Sequence, residues 1–205
     1  MEERVERVIK ALRRRGFEAE FIRDKESARR VILERIPIKA KVGIPGSKTI
    51  RQLELDRLLR ERGQITYDHW LSGLGVQEVL EMRRAQLTSE VLLTSANAIT
   101  ENGEIYNMDG IGNRIAPMIF GAGEVIIVAG INKLVKDLEG ARERLRKVAG
   151  PKRAKELGLN LPCVKSGECE DCHSPGRICR AELILHYAPS LSKIQIYIIG
   201  EELGN

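Results

Sequence analysis

The stretch Glu124-Val125-Ile126-Ile127-Val128-Ala129-Gly130 is a nearly unbroken apolar run. Such a run is typical of a strand buried on both faces, at the centre of a parallel sheet that helices cover on each side. Segments before it alternate between helical spacing and strand-like runs: helices are expected at 2–15, 24–35, 50–63 and 76–87, and strands at 18–22, 41–44, 64–67 and 91–93. The sequence therefore predicts an α/β fold with a mostly parallel sheet flanked by helices.

The pattern changes in the second half of the chain. Residues 99–108 indicate a β-hairpin that turns at Asn102-Gly103, a short helix is expected near 113–120, and a longer one at 134–148. Gly, Pro and all four cysteines are concentrated between Gly150 and Pro189. We therefore divide the chain into a ligand-binding α/β domain at 1–150, a small Cys-rich module at 151–190, and a segment at 191–205 whose strand returns to the main sheet.

Composition limits the classes of protein to consider. A chain of 205 residues that is 42% hydrophobic can bury one substantial core. It opens with charged residues and contains no run of 18 apolar residues, so we expect a cytoplasmic protein that does not cross a membrane. Residues 1–62 carry 18 Lys or Arg against 11 Asp or Glu, and the remainder 16 against 18. Because acids interrupt these basic residues and aromatic residues are scarce, solvated helix faces are favoured over a nucleic-acid surface.

The loop after the strand at 41–44 is a candidate anion site. A strand that runs through a glycine-containing turn into a helix exposes backbone N–H groups at the positive end of the helix. The residues expected to hold the anionic part of a ligand are Gly43, Gly46, Ser47, Lys48 and Thr49. The spacing matches neither a dinucleotide fingerprint nor a P-loop. The simpler alternative is that Ser47 or Thr49 only caps the helix.

A second candidate region surrounds the predicted hairpin, which is polar where a core hairpin should be apolar. Its start follows a buried strand, and ligands of open α/β sheets bind at the carboxyl ends of strands. The residues expected to orient a ligand are Asn97, Thr100, Glu101, Asn107, Asp109, Gly110, Asn113 and Arg114. Arg114 could bind a carboxylate or phosphate, and Glu101 could act as a base or nucleophile. Individually, each asparagine could instead be a turn former.

Tyr67-Asp68-His69-Trp70 places a carboxylate beside an imidazole. Adjacent residues on a strand point to opposite faces, so Asp68 and His69 are not expected to act as a dyad. His69 and Trp70 are expected to pack in the core or to line a ligand pocket.

Several of these segments together carry a resemblance. Asn97–Gly103, Asn107–Arg114, Tyr67–Trp70, the Gly-Ser-Lys-Thr loop and Gly200–Gly204 resemble the signature of the LUD-domain family, the lactate-utilisation proteins of LutC/YkgG type. The resemblance implies a fold similar to the ribose-5-phosphate isomerase and CoA-transferase group. It also implies a role in oxidation of L-lactate to pyruvate beside iron–sulfur partner proteins. Glu101-Asn102-Gly103 is similar to the CoA-transferase motif whose glutamate forms an acyl intermediate.

The four cysteines follow the spacing C-x5-C-x2-C-x6-C and are Cys163, Cys169, Cys172 and Cys179. Clustered thiols in an intracellular chain are typical of metal ligands more than of disulfides, although two structural disulfides remain the alternative. Four thiolates suit either a zinc ion or a 4Fe–4S cluster, and the spacing does not decide between them. The resemblance to lactate-oxidation proteins slightly favours the iron–sulfur cluster.

We therefore expect a LutC-like component of organic-acid redox metabolism that binds a small anionic metabolite and a four-cysteine centre. One alternative is a non-catalytic assembly or metabolite-sensing subunit with structural zinc. Another is a CoA-transferase-like or isomerase-like enzyme that uses Glu101. The sequence leaves open the ligand, whether the chain is catalytic alone, and whether it forms a homo-oligomer.

Overall fold

The structure, a computed structural model, describes residues 2–205. The strands are β1 (Glu18–Ile22), β2 (Val42–Ile44), β3 (Thr66–Asp68), β4 (Val91–Thr94), β5 (Ala98–Thr100), β6 (Ile105–Asp109), β7 (Glu124–Gly130), β8 (Leu134–Val135), β9 (Ala181–Leu185) and β10 (Lys193–Ile199). The α-helices are α1 (Glu2–Arg14), α2 (Lys25–Arg35), α3 (Lys48–Gln52), α4 (Leu55–Glu61), α5 (Val76–Leu87), α6 (Ala116–Ile119), α7 (Leu138–Arg144), α8 (Gly150–Glu156) and α9 (Pro162–Ser166). Within residues 2–205, no helix is both long and apolar enough to cross a membrane.

The central sheet has six strands in the order β1-β10-β7-β4-β2-β3, and all neighbouring pairs are parallel. The predicted mostly parallel sheet flanked by helices is therefore confirmed. Successive side chains of β7 enter different cores: Ile127 packs in a cluster with Leu12 of α1, and Val128 in a cluster with Ile32 of α2. This alternation, with both faces buried, explains the apolar run that marks β7 in the sequence.

A second sheet, in the order β8-β5-β6-β9, was not expected from the sequence. The predicted hairpin forms its centre as the antiparallel pair β5 and β6, and β9 pairs antiparallel with β6. Leu134 pairs with Ile99 in a parallel bridge, so the helix predicted at 134–148 begins later. Asp137 caps α7 by accepting a hydrogen bond from the Gly140 N–H at 2.9 Å.

The hairpin turn lies at the predicted position but is longer than a two-residue turn. The Thr100 N–H donates to the Glu104 carbonyl at 3.0 Å, which leaves residues 101–103 as the loop. Within it only Gly103 has a positive φ, of 88°. A Cβ on Gly103 would lie 2.8 Å from the Ala11 backbone of α1, so the turn packs where only glycine fits.

The helix predicted over 50–63 is divided into α3 and α4 by Glu54, whose φ is 51°. Leu53 and Leu55 are both fully buried. Two residues apart on one continuous helix, they would point in nearly opposite directions. The left-handed residue between them lets both side chains reach the same core cluster.

Residues 151–190 contain α8, α9 and β9, and β9 belongs to the second sheet. Residues 167–180, which carry three of the cysteines, form turns and irregular structure. The strand at 193–199 lies between β1 and β7 in the central sheet. The cysteine-bearing turns therefore lie between α9 and β9, an edge strand of the second sheet.

Candidate functional site

A cavity of about 300 Å³ lies at the carboxyl ends of β2 and β4, the position at which open α/β sheets bind ligands. We call it the strand-end cavity. Its wall is formed by residues 45–49, 69–70, 95–97, 108–111 and 113–114, together with Arg83, Lys133, Leu145, Ala149, Gly150, Arg153, Leu157, Ile178, Cys179, Gly204 and Asn205. Segments that are far apart in the chain therefore meet at one site.

Most of the residues predicted to bind the ligand line this cavity: Gly46, Ser47, Lys48, Thr49, Asn97, Asp109, Gly110, Asn113 and Arg114. Four predicted residues do not: Gly43, Thr100, Glu101 and Asn107. The hairpin runs away from the cavity, which explains why some predicted residues line the cavity and others do not. The hairpin begins beside the cavity, and its turn packs against α1.

Glu101 lies in that turn, so the structure does not bring it together with the residues that line the strand-end cavity. Its carboxylate accepts from Arg4 Nε at 2.7 Å on the α1 side of the molecule. Thr100 is fully buried, and its hydroxyl bonds to the Glu104 carboxylate. Gly43 serves close packing of β2, since a Cβ there would lie 2.6 Å from Ser89 Oγ. Neither Thr100 nor Gly43 is available to a ligand in the strand-end cavity.

The glycine-containing loop has several structural roles. Ser47 Oγ accepts from the Ile50 N–H at 3.4 Å, so Ser47 caps α3 as the simpler alternative predicted. Lys48 Nζ bonds to Glu156 at 2.5 Å, which partly neutralises its charge. Gly46 has a φ of 77°, and a Cβ there would lie 2.6 Å from the Trp70 ring. This glycine therefore admits the indole into the cavity wall.

Arg114 is held by the protein itself. Its guanidinium donates to Asn107 Oδ1 at 3.2 Å, to Asn97 Oδ1 at 3.1 Å and to the Met108 carbonyl, and it pairs with Asp109 at 3.6 Å. Burial lowers the pKa of Arg114, and Asp109 opposes that change. Burial tends to raise the pKa of Asp109, but Arg114 and backbone N–H donors hold it below its usual value. Asn107 is fully buried behind this network and does not line the cavity.

Lys133 is a cavity residue that the sequence analysis missed. Its side chain is buried at 4% exposure, and Nζ donates to Ser95 Oγ at 2.8 Å and to Thr49 Oγ1 at 2.9 Å. Within residues 2–205, no carboxylate forms an ion pair with it. Burial lowers its pKa to about 7, and Arg144 and Arg114 add to this effect. Its position just beyond the carboxyl end of β7 was the available signal.

Arg83 of α5 was also missed, and its Nε is buried without a hydrogen-bond partner in the described part of the chain. It lies near His69, whose pKa is lowered to about 4 by burial and then by the Arg83 charge. Arg153 lies over the Trp70 ring, with its guanidinium carbon 4.6 Å from the ring centroid. His69 and Trp70 both line the cavity, as one of their predicted roles required.

The lining of the cavity is strongly basic. Five cationic side chains line it: Lys48, Arg83, Arg114, Lys133 and Arg153. Among the described residues, the lining contains a single carboxylate side chain, that of Asp109, which is already paired with Arg114. Among residues 2–205, neither Arg83 nor Lys133 has a partner carboxylate. The cavity therefore attracts anions and leaves two cations available to them.

The cysteines lie beside a second cavity of about 210 Å³, the thiol cavity, which Cys163, Cys169 and Cys179 line. All four are free thiols, so the disulfide alternative is not present in the structure. The Asp171 N–H donates to Cys169 Sγ at 3.4 Å, and Asp171 has a φ of 48°. Within residues 2–205, no three Cys, His, Asp or Glu side chains are close enough to hold a metal ion. The donor chemistry suits zinc or an iron–sulfur cluster, but the sulfurs are not arranged as a closed ligand set.

The thiols nevertheless influence one another. Burial raises the pKa of Cys163 and of Cys179, and the neighbouring cysteines add to both effects. A hydrogen bond with Ser174 lowers the pKa of Cys172. Cys179 lines the strand-end cavity as well as the thiol cavity. The two cavities therefore share part of one wall.

The fold and the site together define the molecule as an α/β protein with a basic cavity at the strand ends of a parallel sheet. The LUD domain matches residues 5–199, and the chain belongs to the LUD domain family. A crystal structure of a DUF162 family protein from Deinococcus radiodurans is similar over 97% of both chains, with a TM-score of 0.56 and 13% identity. At this identity the likeness shows the fold alone. Among curated proteins, none matches the sequence of this chain.

Proposed function

We propose that the strand-end cavity binds a small organic anion and that the protein is a cytoplasmic, LutC-like component of organic-acid redox metabolism. The observation that carries the proposal is the pair of cavity cations, Arg83 and Lys133, that lack a carboxylate partner within residues 2–205. Lys133 is buried, and an unpaired buried charge costs several kcal/mol, which a bound anion offsets. The cavity volume of about 300 Å³ suits a ligand of metabolite size.

Membership of the LUD domain family supports a role related to lactate utilisation. The finer proposal is that the anion is lactate, pyruvate or a relative, and that iron–sulfur lactate-oxidation proteins are partners. The wall shared through Cys179 favours this proposal, because it sets a bound organic acid beside the thiols. A fold related to ribose-5-phosphate isomerase and the CoA-transferases is part of the same proposal.

The CoA-transferase-like or isomerase-like alternative requires Glu101 to meet a substrate. Its ion pair with Arg4 and its position in the turn against α1 give that alternative no support. The alternative of a metabolite-sensing subunit uses the same cavity and differs in the metal. The redox component and the metabolite-sensing subunit therefore share the same anion site. They differ in the metal centre that the cysteines would hold.

Replacement of Arg83 by methionine should weaken binding of pyruvate or lactate by at least about tenfold, because a hydrogen bond to a charged group contributes about 1.5–3 kcal/mol. Calorimetry at fixed salt concentration measures this change. Arg83 forms no side-chain hydrogen bond within residues 2–205, so the melting temperature of the Arg83→Met protein should stay near that of the unmodified protein. The matched control is Arg84→Met on the exposed side of α5. Equal affinities for the two variants would contradict the assignment.

For the cysteines we propose a 4Fe–4S cluster, with zinc as the alternative. Four thiolates are the donors that either centre uses, and the N–H donor to Cys169 Sγ is of the kind that stabilises thiolate ligands. Cys163, Cys169 and Cys179 would hold the centre from the thiol cavity, and Cys172 would complete the set. A bound cluster would supply one-electron transfer beside the organic acid.

Anaerobically purified protein should show broad absorbance at about 400 nm and contain iron and sulfide. Cys172→Ser should lose most of both, since it removes one of four ligands. Elemental analysis together with the visible spectrum makes the measurement. A colourless protein that contains zinc would instead favour the sensing subunit, and protein without either metal would remove the centre altogether.

A further inference from the structure

Lys133 has the surroundings of a reactive amine. It lies in the strand-end cavity with 4% exposure, and among residues 2–205 its amine bonds only to the hydroxyls of Ser95 and Thr49. A lysine that serves packing or stability normally keeps its charge paired with a carboxylate or solvated. Desolvation beside other cations is instead the arrangement that activates an amine for nucleophilic attack.

The structure assigns to Lys133 the role of a nucleophile that condenses with the carbonyl group of a small 2-oxo carboxylate bound in the strand-end cavity. This inference rests on the proposed anion site and adds covalent chemistry to it. Arg83 and Arg153 supply positive charge for the carboxylate end of such a ligand. Lys133 is the single lining residue whose unpaired side chain ends in a primary amine, since Lys48 is paired with Glu156.

The reaction is a dehydration without oxidation or reduction. The lone pair of Nζ attacks the carbonyl carbon, a C–N bond forms, and the carbonyl π pair moves to oxygen. The two amine protons leave with that oxygen as water, and a C=N bond remains. The hydroxyls of Ser95 and Thr49, 2.8 and 2.9 Å from Nζ, are placed to relay those protons.

The charges around Lys133 keep part of the amine neutral near neutral pH. Burial and the nearby Arg144 and Arg114 lower its pKa to about 7. Asp109, the carboxylate of the cavity lining, is paired with Arg114 and does not compensate. The fraction of Lys133 that is neutral therefore rises about tenfold between pH 6 and pH 8 and then levels off. The neutral fraction of an ordinary exposed lysine keeps rising up to about pH 10.

The test incubates the full chain with pyruvate and sodium cyanoborohydride and maps the reduced adduct by peptide mass spectrometry. The adduct should lie on Lys133, rise through pH 7 to a plateau, and be absent with lactate, which has no carbonyl at that carbon. Lys136→Met, an exposed neighbour, should label as the unmodified protein does. Lys133→Met should lose the adduct.

The outcomes separate the inference from the proposed function. Pyruvate that binds in calorimetry but leaves no adduct on Lys133, or labels it no more than surface lysines, overturns the covalent role and leaves the anion site standing. A failure of pyruvate and lactate to bind overturns both. Mapping on the unmodified chain gives this answer even if Lys133→Met does not fold.

Discussion

Arg114→Met should lower the free energy of unfolding by about 3–5 kcal/mol, the usual cost of removing one partner from a buried ion pair. The substitution leaves Asp109 without its cation and removes donors from the amide oxygens of Asn97 and Asn107. These residues fix the path of the chain around the strand-end cavity. Loss of ligand binding should therefore accompany the loss of stability.

Urea denaturation of the variant measures this effect. The control is Arg142→Met, which removes an exposed pair with Glu182 and should cost less than about 1 kcal/mol. A second substitution, Asp109→Asn in the Arg114→Met background, should recover part of the loss because no buried charge then stays unpaired. An Arg114→Met protein of unchanged stability that no longer binds an anion would show that Arg114 contacts the ligand directly.

Asp68→Ala should have a comparable effect, also about 3–5 kcal/mol. The Asp68 carboxylate is fully buried and accepts two hydrogen bonds of 2.7 Å from Arg51 and one of 3.3 Å from Arg60. It also accepts from the Trp70 N–H at 3.0 Å. Without it, two cations lose their central partner and the indole loses its anchor in the cavity wall.

The chain has one tryptophan, so Trp70 fluorescence reports directly on this change. Emission should shift to longer wavelength in Asp68→Ala as the ring becomes hydrated, together with a lower denaturation midpoint. Glu61→Ala, which removes an exposed pair with Arg57, should leave the emission unchanged and cost about 0.5 kcal/mol. An unshifted spectrum in Asp68→Ala would contradict the anchoring role.

The central sheet could be predicted because its strands have strong local signals. The apolar run of β7 and the residues of β4 and β10 require burial on both faces, and the helices between strands carry clear periodicity. The second sheet lacked such signals. A two-residue strand such as β8 has no period to detect, and only one residue of β9 is buried.

The candidate site could also be predicted only in part, because only some of its residues have a signal in the sequence. Proximity to a strand end is visible in sequence, and it identified the region of Ser47 and Asn97. The same reasoning could not show that Glu101 lies away from the cavity, where β5 carries the chain by about 3.3 Å per residue. Arg83 could not be distinguished from Arg84, since only burial separates two adjacent arginines on one helix.

The position of Cys179 between the two cavities has a thermodynamic consequence. If a group bound in the thiol cavity displaces the side chain of Cys179 or of Met108, it changes the binding free energy of a ligand in the strand-end cavity. Linkage makes that influence mutual and equal in size: each occupant alters the affinity of the other by the same factor. Binding in one cavity is then measurable as a shift in the dissociation constant of the ligand in the other cavity.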